Sequence, residues 1–260
     1  MSEARRRRRA PTTIARRGDL IVERDPLYAP GRLLRQGGMD ASYVDLADPS
    51  NLQFGYLRWM RIVLRAARAR RVLHVGGGAC ALPRALAAED PAGRQEVCEV
   101  DGDVLDLARE HFGLRRMPGL HVRHADGRAF IAAQRESSWD AVAIDAFIDA
   151  TVPRRLITVQ ALAAVARVAP LALINVIDDR SRREVRTIAA SLAQSFDRVW
   201  ALGGRAGNTI LAGGARPLDL DRIAAQAAAD PAPARVTAPA PMADLISGSS
   251  PLRDEELRSP

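Results

Sequence analysis

"VLHVGGGACALPRAL", residues 72–86, carries a short apolar run into three successive glycines and from there into a helical pattern. Glycine costs backbone entropy, so three in a row ask for a reason. A strand that turns through glycines into a helix opens an α/β sheet, and in such sheets the first strand-to-helix turn forms the floor of a ligand site. Downstream, apolar runs keep alternating with helical patterns. Strands are expected at 71–76, 96–100, 120–125, 139–145, 171–177, 198–203 and 208–214, with helices near 80–89, 102–112, 127–135, 154–168 and 181–195. Too few residues around "GRA" separate the last two strands for a crossover helix, so these two should form an antiparallel hairpin.

The expected architecture is therefore α/β: a mostly parallel seven-stranded sheet with an antiparallel terminal hairpin, in the outline of the class I S-adenosylmethionine methyltransferase-like (Rossmann-like) fold. Ahead of the sheet, residues 51–69 form an amphipathic helix with Leu52, Tyr56, Trp59, Met60 and Val63 at helical spacing. Residues 18–50 read as a small β-hairpin element and 51–230 as the main domain. One more helix is expected from Leu218 to about Ala229. By composition, 231–260 is a Pro/Ala-rich tail.

Composition bounds the function. All 38 basic residues are arginine, so neither a P-loop lysine nor a Schiff-base lysine exists here. The formal charge of +7 is concentrated in residues 1–17, where Arg5 to Arg9, Arg16 and Arg17 face Glu3 alone. That segment reads as a disordered, solvated arm capable of weak contact with nucleic acid or an anionic surface. No apolar region follows it as in a signal peptide, and no segment reads as membrane-spanning. Cys80 and Cys98 form no CxxC pair, which suits a reducing, cytoplasmic setting. The four histidines have no metal-ligand spacing, so no metal is expected, and His74, inside an apolar strand, reads as a core residue.

Acidic residues at strand ends locate the chemistry. Gly76, Gly77 and Gly78 make room for a ligand at the first turn. The pattern "GGGACA" leaves a dinucleotide and an adenosylmethionine group both open. Glu99 and Asp101 close the second strand, where a carboxylate can accept hydrogen bonds from ribose hydroxyls. Asp126, followed by Gly127, closes the third and could accept from an adenine amino group, while Asp145 closes the fourth. A dehydrogenase would need a substrate domain, for which there is no room.

"VLHVGGGACALPRAL", "VCEVDGDVLDLAREHFGL", "HVRHADGRAFI" and "WDAVAIDAFIDATVPRRLITVQAL", in this order and spacing, resemble the spermidine synthase (polyamine aminopropyltransferase) family, in particular its short actinobacterial spermidine synthase-like members. The resemblance extends from about Gln36 to Glu256, which implies that 231–260 packs at least partly on the domain. It implies an aminopropyl group moving from decarboxylated S-adenosylmethionine to a diamine such as putrescine, with methylthioadenosine released. Asp145 then matches the base, Glu99 the ribose-binding acid and Asp126 the adenine-side acid. Tyr56 matches the tyrosine of the preceding helix, and Asp149 is a second carboxylate for the distal ammonium. A homodimer is a further implication.

Three positions depart from the family pattern. Ala79 stands where an aspartate holds the aminopropyl ammonium, Arg58 where a glutamate follows the Tyr-His pair, and Ala41 where a glutamine precedes "YVDL". They thin the amine-recognising half of the site. An S-adenosylmethionine-dependent methyltransferase of unknown acceptor, or a non-catalytic nucleoside-binding protein of the same fold, are the alternatives.

Overall fold

The computed structural model describes residues 11–115, 117–204 and 206–257. The chain opens with four antiparallel strands, β1 (Thr12–Arg17), β2 (Leu20–Arg24), β3 (Gly31–Gln36) and β4 (Met39–Asp45), which form a separate sheet in that order. Helix α1 (Gly55–Ala66) leads into the main body: β5 (Arg71–Val75), α2 (Ala81–Glu89), β6 (Arg94–Glu99), α3 (Gly102–His111), β7 (Leu120–His124) and α4 (Gly127–Ala132). There follow β8 (Ala141–Ile144), α5 (Val159–Val168), β9 (Leu171–Asp178), α6 (Arg183–Leu192), β10 (Arg198–Gly203), β11 (Gly207–Gly214), α7 (Leu220–Ala228), β12 (Arg235–Thr237) and α8 (Pro239–Ile246).

The main sheet has the order β12-β10-β11-β9-β8-β5-β6-β7. Strands β5 to β9 pair in parallel, and β11 lies antiparallel between β9 and β10, with Asn175 opposite Ile210. The fold class and terminal hairpin are as expected; the sheet, however, gains an eighth strand, because β12 pairs antiparallel with β10. Alternation along the strands divides the core between two faces. Val72, Ala141 and Ala143 pack with α1, α2 and α7, while Leu73, Val75, Val142 and Ile144 pack with α5, α6 and Met242 of α8.

Two segments differ from their composition-based reading. The arginine-rich arm expected over 1–17 is a strand from Thr12 onward: β1 pairs with β2, Ile14 and Ala15 pack on the core, and Arg17 reaches Asp103 and Glu110 of α3 at 3.5 and 3.3 Å. Arg5 to Arg9 lie outside the described residues. The hairpin expected over 18–50 is accordingly part of a four-stranded sheet. At the other end, the Pro/Ala-rich segment supplies β12 and α8, with Met242 and Leu252 at 0% and 2% exposure and Arg128 bound bidentately to Asp254. Alanine and proline suffice there because the segment borrows an existing core face and does not have to build one.

Among the described residues no helix is long and apolar enough to cross a membrane, and no group of three or more His, Cys, Asp or Glu could hold a metal ion. His74 is 3% exposed; its Nε2 meets Gln95 Oε1 at 2.9 Å, and burial lowers its pKa to about 4.

Candidate active site

A cleft of about 1060 Å³ opens over the carboxyl ends of the parallel strands. It lies where the chain, having run outward through β5, β6 and β7, returns to continue through β8 and β9, the usual ligand position in an open α/β sheet. Turns of the N-terminal sheet, the start of α1 and the β10–β11 hairpin close its sides.

Of the residues expected to form the site, Tyr56, Gly76, Gly77, Gly78, Glu99, Gly127, Asp145 and Asp149 all line this cleft. The glycines also answer to the chain itself. Gly76 has φ +73°, and a Cβ there would run into the Asp145 carbonyl oxygen and stand 2.8 Å from Ala146 Cβ, so the β5 and β8 turns touch through it. At Gly127 a Cβ would run into the Val75 side chain. Close backbone approach, as well as room for a ligand, explains these positions.

Asp145 sits directly after β8 with both oxygens held: Tyr56 Oη donates to Oδ2 at 3.2 Å, and Asn175 Nδ2 donates to Oδ1 at 2.9 Å. Burial raises its pKa and the two donors partly oppose the rise. Burial, together with the same carboxylate, pushes the Tyr56 phenol well above the ordinary tyrosine range, so Tyr56 keeps its proton. Glu99, at the end of β6, is 9% exposed and accepts the Asp101 backbone N–H at 3.0 Å. Its pKa is raised by burial against the backbone donors of Asp101, Val100 and Gly78. Asp101 caps α3 through Asp103 N and Val104 N. Asp149, exposed at the rim, has φ +47°, and Ala150 beside it +65°, a tight excursion bracketed by the mutual 2.9 Å backbone bonds of Ile148 and Thr151.

Asp126 already has partners: Oδ1 caps α4 through Ala129 N at 2.9 Å, and Oδ2 pairs at 2.5 Å with Arg155, which lines the cleft. A strand-end aspartate directly preceding a helix satisfies an unpaired backbone donor first. Arg58 brings no cation into the cleft. Its Nε and Nη2 bind Asp230 at 2.9–3.1 Å and its Nη1 donates to the Leu52 and Gln53 carbonyls, both at 2.7 Å. Ala79 is 0% exposed within the core, while Ala41 does line the cleft.

Sequence reasoning missed Asn175 and Asn208. Asn175 is fully buried on β9, and Asn208 of β11 donates from Nδ2 to Asn175 Oδ1 at 3.1 Å. The available signal was Asn175 itself, an amide inside the apolar run "LALINVI": a buried side-chain amide needs partners. Among the described residues the charged lining is one-sided, with Asp19, Asp40, Glu99, Asp101, Asp145 and Asp149 against Arg155.

No protein-family model matches the chain. It is 31% identical over 80 residues to spermidine synthase 1 of Pisum sativum, covering 29% of this chain and 24% of that protein. It is 26% identical over 117 residues to the polyamine aminopropyltransferase of Vibrio vulnificus, covering 43% and 39%. The matched segments thus span well under two thirds of those relatives. The crystal structure of a probable spermidine synthase from Corynebacterium glutamicum superposes with a TM-score of 0.84 at 26% identity, covering 95% of this chain and 97% of that one. Human methyltransferase-like protein 13 shares the fold, with a TM-score of 0.51 at 21% identity over 63% of this chain and 79% of that one. The resemblance to the spermidine synthase family carried by the sequence motifs is borne out in sequence and in fold.

Proposed function

We propose that this protein is a spermidine synthase-like aminopropyltransferase that joins decarboxylated S-adenosylmethionine to a small diamine such as putrescine and releases methylthioadenosine. The observation that carries the reading is Asp145, a carboxylate at the bottom of an acid-lined cleft, held by two donors and in contact with the glycine turn. An amine is protonated at neutral pH and attacks only after losing that proton, so a carboxylate must stand beside it. Asp145, with Oδ1 and Oδ2 fixed from one side each, is oriented for this task, and its raised pKa strengthens it as a proton acceptor. The amine nitrogen bonds to the carbon next to the sulfonium, the carbon–sulfur bond breaks with its electron pair going to sulfur, and the proton passes to Asp145.

The surrounding charges fit this pairing. Both proposed substrates are cations, and among the described lining residues six carboxylates stand against Arg155. Glu99 lines the cleft beside the glycine turn, which supports its reading as the acceptor for ribose hydroxyls, and the position of Asp149 at the rim supports its reading as the partner of the distal ammonium. The relatives are named as a spermidine synthase, a polyamine aminopropyltransferase and a probable spermidine synthase, which supports the same reaction class.

Methyl transfer from intact S-adenosylmethionine is the second reading, favoured by one observation: Ala79 lies in the core and offers the aminopropyl ammonium nothing. Against it, the carboxylate of the intact co-substrate would enter a cleft already rich in acids. Calorimetric titration with S-adenosylmethionine, its decarboxylated form, methylthioadenosine and NAD, followed by a transfer assay with putrescine, decides. Preference for the decarboxylated form with product formation is expected. Preference for the intact form moves the assignment to methyl transfer, and absence of nucleoside binding removes both.

A further inference from the structure

Asp145 is the end of a chain of donors that begins on another strand. Asn208 on β11 lies diagonally across the antiparallel pair from Asn175 on β9, since Asn175 is in register with Ile210. Asn208 Nδ2 donates to Asn175 Oδ1 at 3.1 Å, and Asn175 Nδ2 donates to Asp145 Oδ1 at 2.9 Å. The direction follows from the inventory of each group. An ionised carboxylate only accepts, so Asn175 has to turn its NH₂ towards Asp145, which leaves its carbonyl oxygen facing Asn208. Turned the other way, Asn175 would present a second acceptor to Asp145, an arrangement that only a protonated Asp145 satisfies. Asn175 is completely buried, so both ends of its amide need partners, and whatever fills its carbonyl selects between the two orientations.

We propose that Asn208 is a positioning residue: by donating to Asn175 it fixes the amide with NH₂ towards Asp145 and so holds Asp145 in its ionised, proton-accepting form. This rests on the base role assigned to Asp145 above. Asn208 itself borders the cleft and acts through Asn175.

The charged and titratable groups that line the cleft with Asp145 come, among the described residues, from several elements: Tyr56 of α1, Cys98 and Glu99 of β6 with Asp101 after it, Asp19 and Asp40 of the N-terminal sheet, and Asp149 and Arg155 beyond β8. Tyr56 touches Asp145 and stays protonated, so it donates in either state of the relay. Replacing Asn208 with leucine removes the donor without adding a charge, and leaves each of these groups in place.

The test is the protonation of Asp145 in the unliganded, full-length protein, followed by carbon-13 NMR of its side-chain carboxyl, the resonance being assigned by its loss in Asp145→Asn. Asn208→Leu is expected to raise the protonation constant about threefold to tenfold, which moves the midpoint upward by about half to one pH unit. In an Asn175→Ala background the same substitution should shift nothing further, because the intermediate is gone. An unmoved midpoint in Asn208→Leu, or an equal shift in both backgrounds, overturns the proposal. Should Asn175→Ala fail to fold, Asn208→Gln takes its place by keeping an amide donor: a native midpoint supports the relay, and a midpoint equal to that of the leucine variant overturns it. The titration needs no turnover, so a wild-type protein without transfer activity would remove the proposed function and leave the relay standing or falling on its own measurement. Where transfer is present, the acid limb of kcat/KM should move with the NMR midpoint.

Discussion

The Arg58 guanidinium clasps Asp230 across 172 residues of sequence, with Nε and Nη2 each 2.9 Å from a carboxylate oxygen. The pair ties α1 to the segment after α7 and is mostly enclosed, with side-chain exposures of 16% and 8%. Removing one partner leaves the other charge buried without compensation. Asp230→Ala should therefore destabilise the fold by about 3 kcal/mol, measured as a shift in urea midpoint. Stability within 0.5 kcal/mol or so of wild type would show the pair to be ornamental.

Asp145→Asn is expected to abolish transfer while keeping nucleoside affinity within a few-fold, because the amide still accepts from Tyr56 at 3.2 Å. Tyr56→Phe removes one orienting donor and should lower kcat by about tenfold to a hundredfold with the fold intact. Turnover of Asp145→Asn at the wild-type rate would take that residue out of the chemistry.

Glu99 and Asp126 should behave oppositely, although both close parallel strands. Glu99→Ala is expected to weaken nucleoside binding by about 1–3 kcal/mol, since ribose hydroxyls would lose their buried acceptor. Asp126→Ala should leave nucleoside affinity within about threefold and cost about 1 kcal/mol of stability through the lost α4 cap. Calorimetry and thermal melts on the two variants separate these outcomes.

Gly76→Ala should be among the most damaging single-methyl additions in the chain. The residue has φ +73°, and the new Cβ would strike the Asp145 carbonyl and Ala146. A loss of about 3 kcal/mol or more in unfolding free energy is expected, with nucleoside binding lost in the fraction that folds.

His74 predicts an acid-side stability limit. Burial lowers its pKa from 6.5 to about 4, so between those values the unfolded chain binds the proton more tightly than the folded one. Its contribution is complete above pH 6.5, and it is lost as pH falls towards 4, at about 1.4 kcal/mol per unit. Denaturant midpoints compared at pH 7 and pH 4.5 should fall more steeply for wild type than for His74→Gln. Equal slopes would remove His74 as the cause.

The parallel strands and their helices were legible because their signals are local. Val72, Leu73 and Val75 are apolar in sequence and buried in space, and the glycines after them mark a turn whatever surrounds it. The acids at strand ends were legible as candidates, yet Glu99 and Asp126 look alike in sequence, and what separates them is a helix cap and Arg155, which lies 29 residues further along. The strand at Thr12–Arg17 was hidden by the arginine content of its segment, because a half-exposed edge strand tolerates charge on its outer face.

By itself the sequence determined the order of strands and helices from β5 to α7, the position of the glycine turn and the presence of carboxylates at the ends of β6, β7 and β8, since all of these follow from periodicity and residue type within short windows. The tertiary structure alone decided which carboxylates face the cleft, that Arg58 is spent on Asp230, and that two asparagines on neighbouring strands lead to Asp145. Hydrogen bonds are directional and short, so the role of a polar side chain is fixed by the partner that folding brings within 3 Å or so of it, and no local pattern encodes that distance.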